Sequence, residues 1–202
     1  MRYAMAAILA AVLILPNTVA HTGEMPELLI MWAAKRHWPE PYRSNPDLLV
    51  EQCRAESNLK ADAESPVGAI GLCQVMPATA LELVAKRDAR GKARGLLRGQ
   101  IRGKLRDGKT NAELAARYMA RMFGIWAYPR THWCRWRLAV ASYNAGAGSI
   151  IKAQTLSGGR SCFEDIAPFL HQITGKHSAE TIAYTFRVED NVRRRRSQEL
   201  IQ

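Results

Sequence analysis

The chain has 202 residues, 48% of them apolar and 23% charged, with a formal net charge of +11. That balance supports a packed core and excludes wholesale disorder. The positive charge favours polyanions of any kind, but its layout argues against nucleic acid: the two basic runs, 86–109 and Arg193 to Arg196, lack interleaved aromatics for stacking bases and read as solvated surface.

In chain order, Arg2, the apolar run Ala4 to Leu15 and Pro16 have the pattern of an export signal, and Thr18-Val19-Ala20 suits a signal peptidase. Residues 1–20 are therefore expected to be removed, giving a periplasmic or secreted protein. The alternative is a membrane anchor, but the run has 12 residues where a spanning helix needs about 20. No later segment is apolar enough to span a membrane. The rest suits one domain, 21–192, carrying a basic insertion at 86–109 and followed by a basic tail at 193–202. Cys53, Cys73, Cys134 and Cys162 are read as up to two disulfides in an oxidising compartment. None has CxxC spacing or a histidine at a zinc-ligand interval, so no metal is expected, and three pairings stay open.

The patterns predict helices over Pro26 to His37 and Asn45 to Ser57, the second capped by Asn45 with Pro46 in its first turn. There Leu49, Cys53 and Glu56 share one face. Asn58 to Val75, with Pro66, Gly68 and Gly71, reads as loops with a small hairpin. Pro77 starts a helix through Ala85, and the Gly-interrupted basic stretch reads as partly helical. Thr110 and Glu113 form a capping-box pair ahead of an amphipathic helix ending before Pro129. Helices follow over Trp133 to Tyr143, Ser149 to Leu156, from Ser161 and Glu164 to an interruption at Pro168, and over Ser178 to Val192. The fold class is mainly α, with one small irregular or hairpin segment.

Breaking a glycosidic bond requires a carboxylic acid that is still protonated near neutral pH, and burial beside apolar groups produces one. Glu56, on the Leu49 and Cys53 face, has that environment in outline. Glu56-Ser57 is followed by Ser65-Pro66-Val67-Gly68-Ala69-Ile70-Gly71-Leu72-Cys73-Gln74-Val75-Met76-Pro77-Ala78-Thr79-Ala80, then by Tyr143-Asn144-Ala145-Gly146, then by Glu180-Thr181 and Tyr184. In this order the three segments resemble the signatures of the soluble lytic transglycosylases, relatives of goose-type lysozyme. The resemblance covers most of Gln52 to Arg187.

It implies a lysozyme-like fold and action on the glycan strands of peptidoglycan. By the same resemblance Glu56 is the acid and then the base, and the products end in 1,6-anhydromuramic acid. Ser65, Gln74, Met76, Tyr143, Glu180 and Tyr184 are the expected groove residues, and no cofactor is called for. Read as residues alone, Met76 also suits a core, Tyr143 also suits simple ring burial, and the glycines suit tight turns with Asn144 holding the one after Tyr143. Asp62 and Glu64 read as solvated. If the motif segments pack as the resemblance implies, Cys53 pairs with Cys73, leaving Cys134 with Cys162. The alternatives are a hydrolytic muramidase on the same fold and a non-catalytic wall-binding module of a secretion, conjugation or phage apparatus.

Overall fold

The computed structural model describes residues 25–87, 93–94, 98–127 and 129–201. The expected export signal lies outside the described residues. The described chain is mainly α-helical, with ten α-helices and one antiparallel pair of two-residue strands, β1 (Lys86–Arg87) and β2 (Ala93–Arg94).

Helix α1 (Pro26–His37) buries Ile30, Ala33 and Ala34, and α2 (Asp47–Ser57) buries its whole run from Leu48 to Cys53. After the irregular segment 58–76 come α3 (Pro77–Val84) and α4 (Arg98–Leu105), the latter inside the basic stretch. The long α5 (Gly108–Ile125) packs against α1 on one side and α6 (His132–Ala145) on the other. Then α7 (Ala147–Leu156), the short α8 (Phe163–Ile166), a 3-10 turn and α9 (His171–Thr174) lead to α10 (His177–Glu199), which closes over α2 and α6.

Large aromatics fill the centre, and most of their polar atoms find backbone or hydroxyl partners, the buried Trp136 Nε1 being without one among the described residues. Trp38 Nε1 donates to the Ala116 carbonyl at 3.1 Å and Trp126 Nε1 to Ser142 Oγ at 2.8 Å, while Tyr42 stacks on Phe123 at 4.1 Å. Both disulfides, Cys53–Cys73 and Cys134–Cys162, are formed. No helix among the described residues is long and apolar enough to cross a membrane.

Several helix ends differ from the sequence expectation. α2 begins at Asp47, and Asn45 does not cap it: its amide nitrogen donates to the Pro41 carbonyl and its oxygen accepts from Arg196. α5 begins a turn early because Asp107 is the cap, accepting from the Thr110 backbone N–H at 2.8 Å. An ionised carboxylate there gains from the helix dipole as well as the hydrogen bond. The Thr110 side chain first, and then this backbone bond, hold the Asp107 carboxyl below its ordinary range. Glu113 then pairs with His37 instead of completing a box. Ser161 caps nothing; α8 starts from Cys162, which the disulfide holds.

The last helix does not stop at Val192 but runs to Glu199, because its arginines have partners on neighbouring helices. Arg195 reaches Glu51 at 3.2 Å and Glu27 at 3.5 Å, and Arg196 reaches Asp47 at 3.1 Å. Paired guanidiniums offset the repulsion that four consecutive charges would otherwise impose on a helix.

Candidate active site

The 58–76 segment shapes the site. Asn58, in the left-handed region at φ 54°, ends α2, and Ile70 then bridges to both Glu64 and Val75, giving two tight reversals in place of a regular hairpin. Gly71 sits at φ +82°, and a Cβ there would collide with the Asn111 amide and the Leu105 carbonyl, so only glycine fits. Asn111, fully buried in α5, holds the turn on both sides. Its Nδ2 donates to the Ile70 and Leu105 carbonyls at 2.7 and 2.8 Å, and its Oδ1 accepts from the Cys73 N–H at 2.9 Å. From α2, Ser57 Oγ donates to the Leu72 carbonyl at 2.7 Å, and the Cys53–Cys73 bridge adds a covalent tie one turn before Glu56.

Between this loop, the end of α2, the end of α6 and the first half of α10 lies a cleft of about 360 Å3. All seven residues singled out in the sequence line it: Glu56, Ser65, Gln74, Met76, Tyr143, Glu180 and Tyr184. Glu56 is on its floor. Its Oε1 accepts from the Tyr184 hydroxyl at 2.6 Å. Burial raises the Glu56 carboxyl to about 7, outweighing the Tyr184 hydrogen bond and the charge of Arg187, which favour the carboxylate; the charge of Glu180 adds to the rise. Desolvation wins because no cation bonds to the group directly. Near neutral pH Glu56 therefore holds its proton part of the time and can give or take one.

The other residues take distinct places. Tyr143 donates its hydroxyl to the Cys73 carbonyl at 2.8 Å, so it braces the loop while presenting itself to the cleft. Burial pushes the hydroxyls of Tyr143 and Tyr184 well above their ordinary value, and both stay protonated donors. Ser65 Oγ accepts from the Ala69 N–H at 3.0 Å, and Gln74, at φ 49°, donates its amide to the Ala63 and Gly71 carbonyls. A ligand can still engage the Gln74 amide oxygen and the Ser65 hydroxyl proton. Met76 is 39% exposed, which corrects the core reading. Glu180 stands at the rim, near His177. Asn144 does not hold the turn that follows it: its Oδ1 accepts from Thr181 Oγ1 at 2.8 Å, tying α6 to α10.

Sequence reasoning missed Arg187 and Gln52. Arg187 lines the cleft with its guanidinium 5.8 Å from the Tyr184 ring centre. It falls at i+7 from Glu180 and i+3 from Tyr184, a helical spacing that was open to reading. Gln52 is buried, one turn before Glu56. It lies close enough to Tyr184 to ease that hydroxyl's ionisation, yet neither of its amide atoms makes a hydrogen bond of regular geometry. Glu64 is not simply solvated: Arg106 donates to it at 2.6 Å and Arg102 bonds its other oxygen. Among the described residues, one group of three possible metal ligands lies close together, Cys134, Cys162 and Glu164, and its two sulfurs are joined in the disulfide.

The site is thus a cleft in a helical domain with one carboxylic acid that burial keeps protonated near neutral pH, the kind of group an acid catalyst needs. The model of the transglycosylase SLT domain matches residues 34–166, and the chain belongs to that family. Membership implies glycosyl-transferring, lytic-type action on peptidoglycan. The matched span holds Glu56, the 65–80 segment and Tyr143. Glu180, Tyr184 and Arg187 lie beyond it and reach the cleft through the fold. Comparison with curated proteins finds none that matches.

Proposed function

We propose that the chain is an exported peptidoglycan lytic transglycosylase that cleaves the β-1,4 bond between N-acetylmuramic acid and N-acetylglucosamine. The observation that carries this reading is Glu56, raised to about 7 by burial and positioned by the Tyr184 hydroxyl at 2.6 Å. In the first half of the reaction protonated Glu56 gives its proton to the glycosidic oxygen as that bond breaks. The resulting carboxylate then accepts the proton of the muramic acid 6-hydroxyl, whose oxygen bonds to the anomeric carbon. The ring closes as a 1,6-anhydro sugar, no water is consumed, and Glu56 ends protonated as it began.

The nucleophile is tethered to the reacting sugar, so its effective concentration is high and no second carboxylate is needed to activate it. Tyr184 and the charge of Arg187 stabilise the carboxylate that appears midway. Two disulfides suit an oxidising compartment, which supports work outside the cytoplasm after export by the signal at residues 1–20. A hydrolytic muramidase would instead need a base for water, and Glu180 on the same cleft is its one candidate.

Mass spectrometry of fragments from purified peptidoglycan separates the two. Anhydro ends are lighter by one water and inert to borohydride. Fragments that take up hydride and carry the mass of a reducing sugar from the earliest time point would overturn the transglycosylase reading.

A further inference from the structure

Beyond Val67 and Met76 the cleft runs on into a second hollow of about 240 Å3, lined by these two residues with Gly68, Pro77, Ala78 and Arg102. The two hollows share a wall but differ in chemistry. Around Glu56 the lining is rich in hydroxyl, amide and carboxyl groups, which suits sugar rings. The second hollow has Val67, Met76, Pro77 and Ala78 for walls and one guanidinium at its edge. It offers little to hydroxyl groups and much to small apolar groups beside a negative charge.

Arg102 comes from α4, in the basic stretch. It turns toward the Gly68 wall, where its Nη1 stands 3.6 Å from the place a Cβ would occupy. Its Nη2 bonds Glu64, whose other oxygen is taken by Arg106, so two guanidiniums share one carboxylate and one positive charge is left over. Glu64 thus fixes the direction of Arg102 without cancelling the local charge.

We propose that this hollow is a subsite for the carboxylate-bearing substituent of the glycan strand, the peptide stem carried on the lactyl group, with Arg102 binding its carboxylate. The proposal rests on the reading that the strand lies in the Glu56 cleft. Short aliphatic side chains of a stem would cover the Val67, Met76 and Ala78 surface while a carboxylate meets the planar guanidinium. The basic segment then selects for strands that still carry peptide.

The test compares strands with intact stems against strands stripped by an amidase, using the wild-type protein, Arg102→Gln, Arg102→Lys and Ala78→Asp. Arg102→Gln should raise KM for intact strands about tenfold relative to stripped ones, with kcat little moved, and Arg102→Lys should recover part of the loss. Ala78→Asp puts a competing carboxylate inside the hollow. Its place in the first turn of α3 favours an acid, so folding is not at stake, and the same selective rise in KM is expected. A larger rise on stripped strands, whose lactyl carboxyl is free only once the stem amide has been cut, would assign Arg102 to the lactyl group, and an equal rise on both would make its role independent of the stem; either result overturns the proposal. Wild-type KM ratios in both Arg102→Gln and Ala78→Asp would overturn the subsite while leaving the function intact. A wild-type protein that releases nothing from either strand would instead overturn the function.

Discussion

Two glutamates of α2, five residues apart, occupy opposite surroundings. Glu51 is 4% exposed and is met by Arg54 at 3.1 Å and Arg195 at 3.2 Å, so its charge is compensated where it sits. Glu56 faces the cleft with one neutral donor, the Tyr184 hydroxyl, and a cation that acts on it only through space. Burial alone does not make an acid catalyst. Two arginines bonded to Glu51, against one that reaches Glu56 only through space, separate a structural carboxylate from a carboxyl raised to about 7.

The contrast is broken most severely by Glu56→Gln, which keeps the shape and removes the proton. Turnover of peptidoglycan should fall by roughly a hundredfold or more, and wild-type turnover by the folded variant would remove Glu56 from the mechanism. In the wild type, the protonated fraction falls as pH rises through about 7, so activity should decline by about tenfold per unit on the alkaline side. A rate that stays flat from weakly acid to clearly alkaline pH would contradict Glu56 as the controlling acid.

The same shift costs stability as pH rises. The folded protein holds the Glu56 proton up to about 7, whereas the unfolded chain releases it near the ordinary value of 4.5. Between those values the folded state binds more protons, so stability falls as pH rises across the window and the loss is complete above it. Glu56→Gln removes that penalty. It should therefore melt at a higher temperature than wild type at pH 8, by up to roughly 3 kcal/mol, and like wild type at pH 4. Denaturant titrations at the two pH values check this, and equal stabilities at pH 8 would show that Glu56 is not raised.

Glu51→Gln should act in the opposite direction, losing about 1–2 kcal/mol at neutral pH, because it leaves Arg54 and Arg195 facing a neutral amide. An unchanged denaturant midpoint would refute the compensation argument. Smallest are the changes that sharpen the contrast. Tyr184→Phe removes a donor that favours the Glu56 carboxylate and Arg187→Gln removes a distant charge, so both should move the alkaline limb of activity upward, by roughly half to one pH unit for Tyr184 and less for Arg187. A downward movement in either would reverse the assigned roles.

What the residues alone disclosed was what short spacings encode; the grouping of Tyr143, Glu180 and Tyr184 with Glu56 came from the family resemblance. Glu56 beside Leu49 and Cys53, the glycine turns of 65–76 and the helical bodies all follow from neighbours within a few residues. Much of what the structure adds acts across longer gaps; Arg187 and Gln52, within a turn of Tyr184 and Glu56, are the exceptions. Arg195 and Arg196 extend α10 because Glu51, Glu27 and Asp47 lie beside it, although they precede it by well over a hundred positions. Glu64 looked solvated because its partners Arg102 and Arg106 arrive from a different segment. Three capping assignments failed: Asn45 bonds Pro41 and Arg196 instead, Asp107 displaced Thr110 as the acceptor, and α8 starts from Cys162 with no side-chain cap.

Cys73 is held from three directions at once. Its sulfur is bonded to α2, its N–H to Asn111 on α5, and its carbonyl to the Tyr143 hydroxyl on α6. The loop that walls the cleft therefore cannot shift away from any one of those helices without straining its links to the other two. That wall of the cleft is therefore a fixed edge, against which anything entering has to fit. In the reaction proposed above, the distortion that brings the muramic acid 6-hydroxyl round would then come from the strand's own contacts along the groove.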